Sequence, residues 1–276
     1  MPVHDEIVAL QSSAPLLLEG LPADARLIYV CNGCTDDSAA YLRNLRDARI
    51  TLIELPKPSK SAALRAGEAA CSALPRFYVD ADVDVTGRTI AALARELDGD
   101  DAIELVSPQL HFDLTHCGPL ARRVNALWLK LPHGSASSFQ QVIGISAAGR
   151  SRWDVMPDIT ADDSFIAAHV PAQLRRKVTT QSATVRPPAS IAALFGVRLR
   201  ILKGLDELAA IGIARPRAPG QRCALRRALL DPHTTLGALV HIAIGLAAKA
   251  AYIAGMGRRG WYRDETSRAR LARQSS

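Results

Sequence analysis

The stretch "RLIYVCNGCTDDSAAYLRNLRDA" (residues 26–48) joins an apolar run to a helix-period segment through a small polar turn. "RLIYVCN" (26–32) reads as a strand and "DDSAAYLRNLRDA" (36–48) as a helix, with Thr35 or Asp36 as its N-cap. The turn between them carries Cys31-x-x-Cys34, which suits a redox pair or half a zinc site, and Asn32-Gly33, which suits a ligand-binding loop.

The same alternation continues downstream. "ITLIEL" (50–55) reads as a strand and "SKSAALRAGEAACSA" (59–73) as a helix. "RFYVDAD" (76–82), "TGRTIAALARELD" (86–98) and "AIELVSP" (102–108) read as strand, helix and strand. Strands and helices at this spacing predict an α/β fold of βαβ crossovers with a mostly parallel sheet. Ligands of such sheets sit at the carboxyl ends of the strands. There the polar residues collect: Asn32, Gly33 and Asp36 after one strand, Asp80, Asp82 and Asp84 at the end of another.

Composition and charge narrow the class. The 276 residues are 48% apolar and 22% charged, as in ordinary globular proteins. From Gln173 onward, 19 Lys and Arg face 5 Asp and Glu, whereas the preceding residues hold 15 against 22. A basic C-terminal third fits a partner rich in phosphate, or is simply a solvated basic surface. The pattern changes there too. "ASIAALFGVRLRILKGLDELAAIGI" (189–213) is helical, and "TTLGALVHIAIGLAAKAAYIAGM" (234–256) is a run long enough to span a bilayer. His241 and Lys249 interrupt it, so a buried or interfacial helix is expected. The basic end, with Trp261 and Tyr262, suits a membrane surface or closure over an acidic ligand. Arg pairs at 122–123, 175–176 and 226–227 come with few aromatics and no nucleic-acid-binding signature, so no nucleic acid is expected.

The chemistry rests on acidic groups. In "VDADVD", Asp80 and Asp82 lie one residue apart at a strand end and can share Mn2+ or Mg2+, which favour oxygen ligands and retain room for substrate phosphates. The plainer reading is a pair of solvated acids. Asp162 and Asp163, in "DITADDSFI" (158–166), either favour a helix dipole or supply a general base. Lys57 and Lys60 precede a helix, where they are phosphate ligands or ordinary solvated lysines. His111, His116 and His133 lack metal-ligand spacing with the five cysteines, so no zinc site is expected. No second Cys-x-x-Cys accompanies Cys31 and Cys34, so the pair is read as incidental to the turn, in a reducing cytoplasmic setting.

In order, these segments resemble the family-2 glycosyltransferases of GT-A fold, in a bacterial subgroup. "PVHDE" (2–6), "CNGCTDDS" (31–38), "SKSAALRAG" (59–67), "YVDADVDV" (78–85), "VIGISAAGRSRW" (142–153) and "DITADDSFI" follow that family's motifs, as do "VRLRILKGLDEL" (197–208) and "WYRDETSR" (261–268). The chain departs from the pattern at Arg65, where Asn is usual, and at Phe139-Gln140-Gln141, where Gly-rich sequence is usual. The apolar run that forms the family's first strand does not precede "PVHDE", and the natural start is expected upstream.

The resemblance implies a GT-A domain, an α/β fold with a mixed sheet and helices on both faces, over 1–185 and a helical basic extension over 186–276. It implies an inverting, single-displacement transfer from a nucleotide-diphospho-sugar to an acceptor hydroxyl, the acceptor being lipid-linked or a small metabolite. Pro2, His4, Glu6, Asn32, Gly33, Asp36, Lys60, Asp80 and Ala81 would line the nucleotide-sugar site, with Asn32 on the nucleobase. Asp82, with Asp80, would hold Mn2+ or Mg2+; Asp163, with Asp162 as runner-up, would be the base; Arg175 and Arg176 would neutralise the departing diphosphate. The place implied is the cytoplasmic face of the cell membrane, on an anionic surface. The competing readings are a catalytically impaired GT-A-like binding protein and, less well matched, a nucleotidyltransferase.

Overall fold

The computed structural model describes residues 1–100, 102–132, 139–214 and 220–257. His133 and the segment "WYRDETSR", with Trp261 and Tyr262, lie outside the described residues. In chain order the elements are β1 (Pro2–Val3), α1 (Ile7–Leu18), β2 (Leu27–Asn32), α2 (Ser38–Asn44), β3 (Ile50–Leu55), α3 (Lys60–Ala69), β4 (Arg76–Val79) and β5 (Val83–Asp84). They continue with α4 (Gly87–Asp98), β6 (Leu105–Phe112), α5 (Pro119–Lys130), β7 (Val142–Ile145), α6 (Ala147–Arg150), α7 (Asp162–His169) and β8 (Arg175–Val185). Three helices complete the order, α8 (Ile191–Ala210), α9 (Gln221–Leu230) and α10 (Thr235–Ile253).

Two compact units result, one from residues 1–111 and 139–185, the other from 112–138 and 186–276. Residues 112–132 group with the C-terminal residues rather than with the first unit. The reason is packing: Leu127 of α5 and Leu131, just after it, share a buried cluster with Ala228 of α9 and Ala238 of α10. Gly237 permits the close approach, since a Cβ there would fall 2.9 Å from the Arg123 carbonyl oxygen.

The first unit holds two sheets. In the order β1-β2-β3 all strands are parallel, with Pro2 opposite Val30 and Leu27 opposite Ile50. β2 is the central, buried strand, which its near-continuous apolar run requires. The second sheet runs β4-β7-β6-β8-β5. Its pairs β4–β7, β6–β7 and β5–β8 are antiparallel, so the domain has the mixed strand pairing that the GT-A resemblance implies, and the mostly parallel reading from alternation alone holds only for the first sheet.

"RFYVDAD" ends as a strand at Val79, earlier than expected, because the chain turns at Asp80: Val83 N–H donates to the Asp80 carbonyl at 3.4 Å. α1 was not foreseen as a helix. It buries Ala9, Leu10, Ser13, Ala14 and Leu17 along one face, and Ser13 Oγ donates to the Ala81 carbonyl at 2.8 Å, bracing the acidic turn.

Candidate functional site

The first sheet ends in a hydrogen-bonded set of loops centred on Asn32, which is buried. Its amide nitrogen donates to the Val3 carbonyl at 2.7 Å and its amide oxygen accepts from Ser59 N–H at 2.8 Å. These partners fix the amide's orientation and tie the ends of β1 and β2 to the start of α3. Asn32 therefore acts as a clamp, with both amide groups engaged by the protein. Gly33 makes the following turn possible with φ +59, and a Cβ there would meet Pro58 N at 2.6 Å.

Asp36 accepts from Ile7 N–H and Ser38 N–H, both at 3.0 Å, joining the starts of α1 and α2. The α2 helix begins later than expected, with Asp37 rather than Thr35 or Asp36 as its N-cap residue. Glu6 is buried, and its N–H donates to Ser38 Oγ at 2.8 Å. Pro2 pairs with Val30 in the sheet. Cys31 and Cys34 are free thiols. A hydrogen bond between them pushes Cys31 up and holds Cys34 down to about 7.

The second cluster gathers at Lys60, the first residue of α3. Ser59 caps the helix, its Oγ accepting from Ala62 N–H at 3.1 Å. From there the Lys60 ammonium reaches Asp80 Oδ1 at 2.8 Å and Asp162 Oδ2 at 3.1 Å. Burial opposes the charge on Lys60, and Asp162 and Asp80 more than offset that, holding the ammonium above the usual lysine range. Asp162 and Asp163 form the first turn of α7, where the helix dipole favours negative charge. Burial pushes the Asp162 carboxyl up. It also raises Asp163, reinforced by the neighbouring Asp162 charge, to about 6. Asp163 Oδ1 accepts from Ser164 N–H at 2.6 Å. Asp82 lies half-buried two residues beyond Asp80, next to buried Ala81.

α3 positions both halves of this cluster. Ser61 Oγ donates to the Ile159 carbonyl at 3.1 Å and Arg65 to the Met156 carbonyl at 3.1 Å, holding the segment that leads into α7. These two residues were missed as positioning groups; Arg65 stood out in the sequence only as a departure from a motif. The two arginines expected at the diphosphate are placed differently. Arg176 bridges Glu96 at 3.2 Å and Asp100 at 2.7 Å, and Arg175 Nε donates to the Val170 carbonyl at 2.7 Å. Lys57 is exposed. Of the cations expected near phosphate, Lys60 is the one the structure places among the site carboxylates.

The sequence matches no protein-family profile and no curated protein. Solved structures do share the architecture. A mannosyltransferase from Pyrobaculum calidifontis, solved with GDP-Man and Mn2+, superposes with a TM-score of 0.60 at 19% identity, over 99% of this chain and 77% of its own. The fold is that of the GT-A glycosyltransferases.

Glucosyl-3-phosphoglycerate synthase from Mycobacterium tuberculosis, solved with Mn2+, UDP and glucosyl-3-phosphoglycerate, gives 0.52 at 18% identity over 78% of this chain and 79% of its own. Residues 1–349 of S. aureus TarS give 0.50 at 13% identity over 95% and 91%. In this GT-A frame the Asp80 turn and the start of α7 are elements of the first unit, joined through Lys60.

Proposed function

We propose that this chain is a glycosyltransferase moving a sugar from a nucleotide-diphospho-sugar to an acceptor hydroxyl by single displacement with inversion. The observation that carries the reading is the junction of Asp80, Lys60 and Asp162–Asp163 within a GT-A fold. Asp163 is the base. A carboxyl raised to about 6 is ionised near neutral pH yet basic enough to take a hydroxyl proton as the oxygen attacks the anomeric carbon. Lys60 opposes the upward push of burial on Asp162 and supplies positive charge toward the nucleotide phosphates.

The donor set at the Asp80 turn fits a hard divalent cation: two carboxylates, with remaining positions left for substrate phosphates, are what Mn2+ or Mg2+ takes. Asp80 and Asp82 would hold it, and when bound it supplies charge neutralisation for the diphosphate leaving group. His4, Glu6 and the loop backbone around Gly33 line the nucleotide end, with Asn32 and Asp36 fixing their positions.

The acceptor we favour is membrane-linked, and α10 supports this. Gly237, Ala238, Ile244 and Ala248 are buried on one face, while Leu236, Leu239, Leu246 and Ile253 are exposed. At about 100° per residue these four exposed residues form a stripe about 100° wide on the opposite side. α10 alone among the described helices is long and apolar enough to cross a membrane. With one face packed against α8 and α5, it suits the interface of an anionic bilayer, at the cytoplasmic face.

The test is turnover of nucleotide-diphospho-sugars with Mn2+, comparing the wild type with Asp82→Asn. Loss of turnover by at least about a hundredfold in a folded variant is expected. Equal rates, or a well-folded wild type that turns over no donor, would overturn the proposal.

A further inference from the structure

The loops after β1 and β2 bring together three side chains of different chemistry: His4, Asp5 and Cys34, whose donor atoms lie within 4.8 Å of one another. Each is held in place by bonds to the surrounding loops. His4 Nδ1 is 2.7 Å from the Asn32 carbonyl oxygen, a partner that can only accept, so Nδ1 carries the proton and Nε2 presents its lone pair. A backbone carbonyl on the remote ring nitrogen is the usual support of a metal-binding histidine.

Asp5 Oδ1 accepts from Thr35 N–H at 2.5 Å, Asp36 N–H at 3.2 Å and Thr35 Oγ at 3.2 Å. These bonds orient the carboxylate, and its Oδ2 lies 3.9 Å from His4 Nε2. Asp5 adopts φ +50, a left-handed conformation that brings its carboxylate back over the loop. Cys34 Sγ contacts the Val3 carbonyl at 3.5 Å and shares a hydrogen bond with Cys31, which a metal on the sulfur would weaken or replace. All three are half-buried, reachable from solvent but partly shielded from it.

We propose that His4 Nε2, Asp5 Oδ2 and Cys34 Sγ form a mononuclear site for a borderline divalent cation of the Zn2+ class. One nitrogen, one oxygen and one sulfur donor is a set that Zn2+ accepts and that Mg2+ and Ca2+ do not. Bond lengths of about 2.0–2.3 Å in a tetrahedron put ligand atoms about 3.4–3.6 Å apart. The His4–Asp5 separation of 3.9 Å is close to that value, and the limit of 4.8 Å requires shifts of about 1 Å, within reach of side-chain rotation. Binding displaces the thiol proton to solvent as the Cys34 sulfur–metal bond forms, and water or a ligand fills the fourth position.

The site is separate in residues and in chemistry from the carboxylates at Asp80 and Asp82, and it stands whether or not the chain transfers sugars. Its effect is to cross-link the loops after β1 and β2. Where the proposed function is correct, it is a second metal at the nucleotide end of the cleft.

The experiment is Co2+ titration of the full chain, followed by the thiolate-to-cobalt charge-transfer absorption and by displacement with Zn2+. One equivalent of Co2+ with a tetrahedral spectrum is expected in the wild type and in Asp82→Asn. Cys34→Ser should lose the charge-transfer band, and His4→Gln should weaken binding by about 10-fold or more. Cys71→Ser and Cys223→Ser should keep the band. Zn2+ should raise the melting temperature of the wild type and leave that of Cys34→Ser unchanged. Absence of the band in the wild type, its survival in Cys34→Ser, or its loss with Cys71 or Cys223 would overturn the site.

Discussion

Replacing Asp163 by Asn is expected to make the protein more stable at about pH 7.5 and far less active. The Asp163 carboxyl is pushed from 3.8 to about 6, first by burial and then by Asp162. A carboxyl whose folded pKa lies above its unfolded value binds its proton more readily when folded. The ionised group therefore destabilises the fold, by an amount that grows from about pH 4 to about pH 6 and is constant above. A shift of about two units corresponds to on the order of 3 kcal/mol. Asn removes the charge and keeps an oxygen for the bond from Ser164 N–H, now 2.6 Å. Its dipole is still desolvated and its pull on Lys60 is weaker, so a net gain of about 1–2 kcal/mol remains. Urea midpoints at about pH 7.5 and about pH 4 measure this: the variant should exceed the wild type at the higher pH, and the gap should shrink at the lower. Turnover should fall by about 10²–10⁴-fold, the usual contribution of a general base. In the wild type the same ionisation gives turnover an acid limb near pH 6. A variant less stable than the wild type at about pH 7.5, or equally stabilised at both, would refute the account of a desolvated charge. Retained turnover would refute the base.

Two further outcomes follow from the same geometry. Lys60→Met leaves Asp80, Asp162 and Asp163 without their shared cation and should cost about 2–4 kcal/mol near neutral pH, the lower part of the range for a broken buried pair because Lys60 remains 23% exposed. The carboxylates then take up protons more readily, so the cost should fade as the pH drops toward about 5, read by urea midpoints; a pH-independent loss would refute it. Leu239→Ser with Leu246→Ser, on the exposed stripe of α10, should reduce co-sedimentation with anionic phosphatidylglycerol vesicles by about tenfold or more, and binding of the wild type to neutral phosphatidylcholine should be weaker still. Equal binding of variant and wild type would refute the interfacial role of that face.

Local pattern was legible where burial and period agreed. β3 was read to the residue at Ile50–Leu55, and α4 within one residue, because apolar runs and a Thr86 cap mark them. α1 escaped because Ile7–Leu18 is apolar on most sides and contains Pro15, so neither period nor stop signal was clear. The antiparallel pairs of the second sheet were implied only by the GT-A resemblance: pairings such as Arg76 with Ile145 depend on contacts far apart in sequence, which alternation does not reveal. In the site, Lys60, Asp80 and Asp162 were found by motif order, and the structure joins them. Arg175 and Arg176 were chosen by charge alone, and charge does not name a partner; Glu96 and Asp100 of the α4 end claim Arg176. His4, Asp5 and Cys34 come from two loops with no spacing rule between them, so only the fold shows that they meet.

The start of α3 explains why these separate signals converge. Ser59 N–H holds Asn32, Lys60 holds Asp80 and Asp162, and Ser61 and Arg65 hold the Ile159 and Met156 carbonyls that lead into α7. A displacement of that turn would therefore move the clamp between β1 and β2, the acidic turn after β4 and the proposed base together. Ser59 and Gly33 make the placement possible, one by capping α3 and the other by admitting Pro58 where a Cβ would collide. Asn32, Ser59, Ser61 and Arg65 bond to the protein and support the cleft. Lys60 is paired through side chains with Asp80 and Asp162, and an arriving phosphate and cation can exchange partners with them without unravelling a helix or a strand.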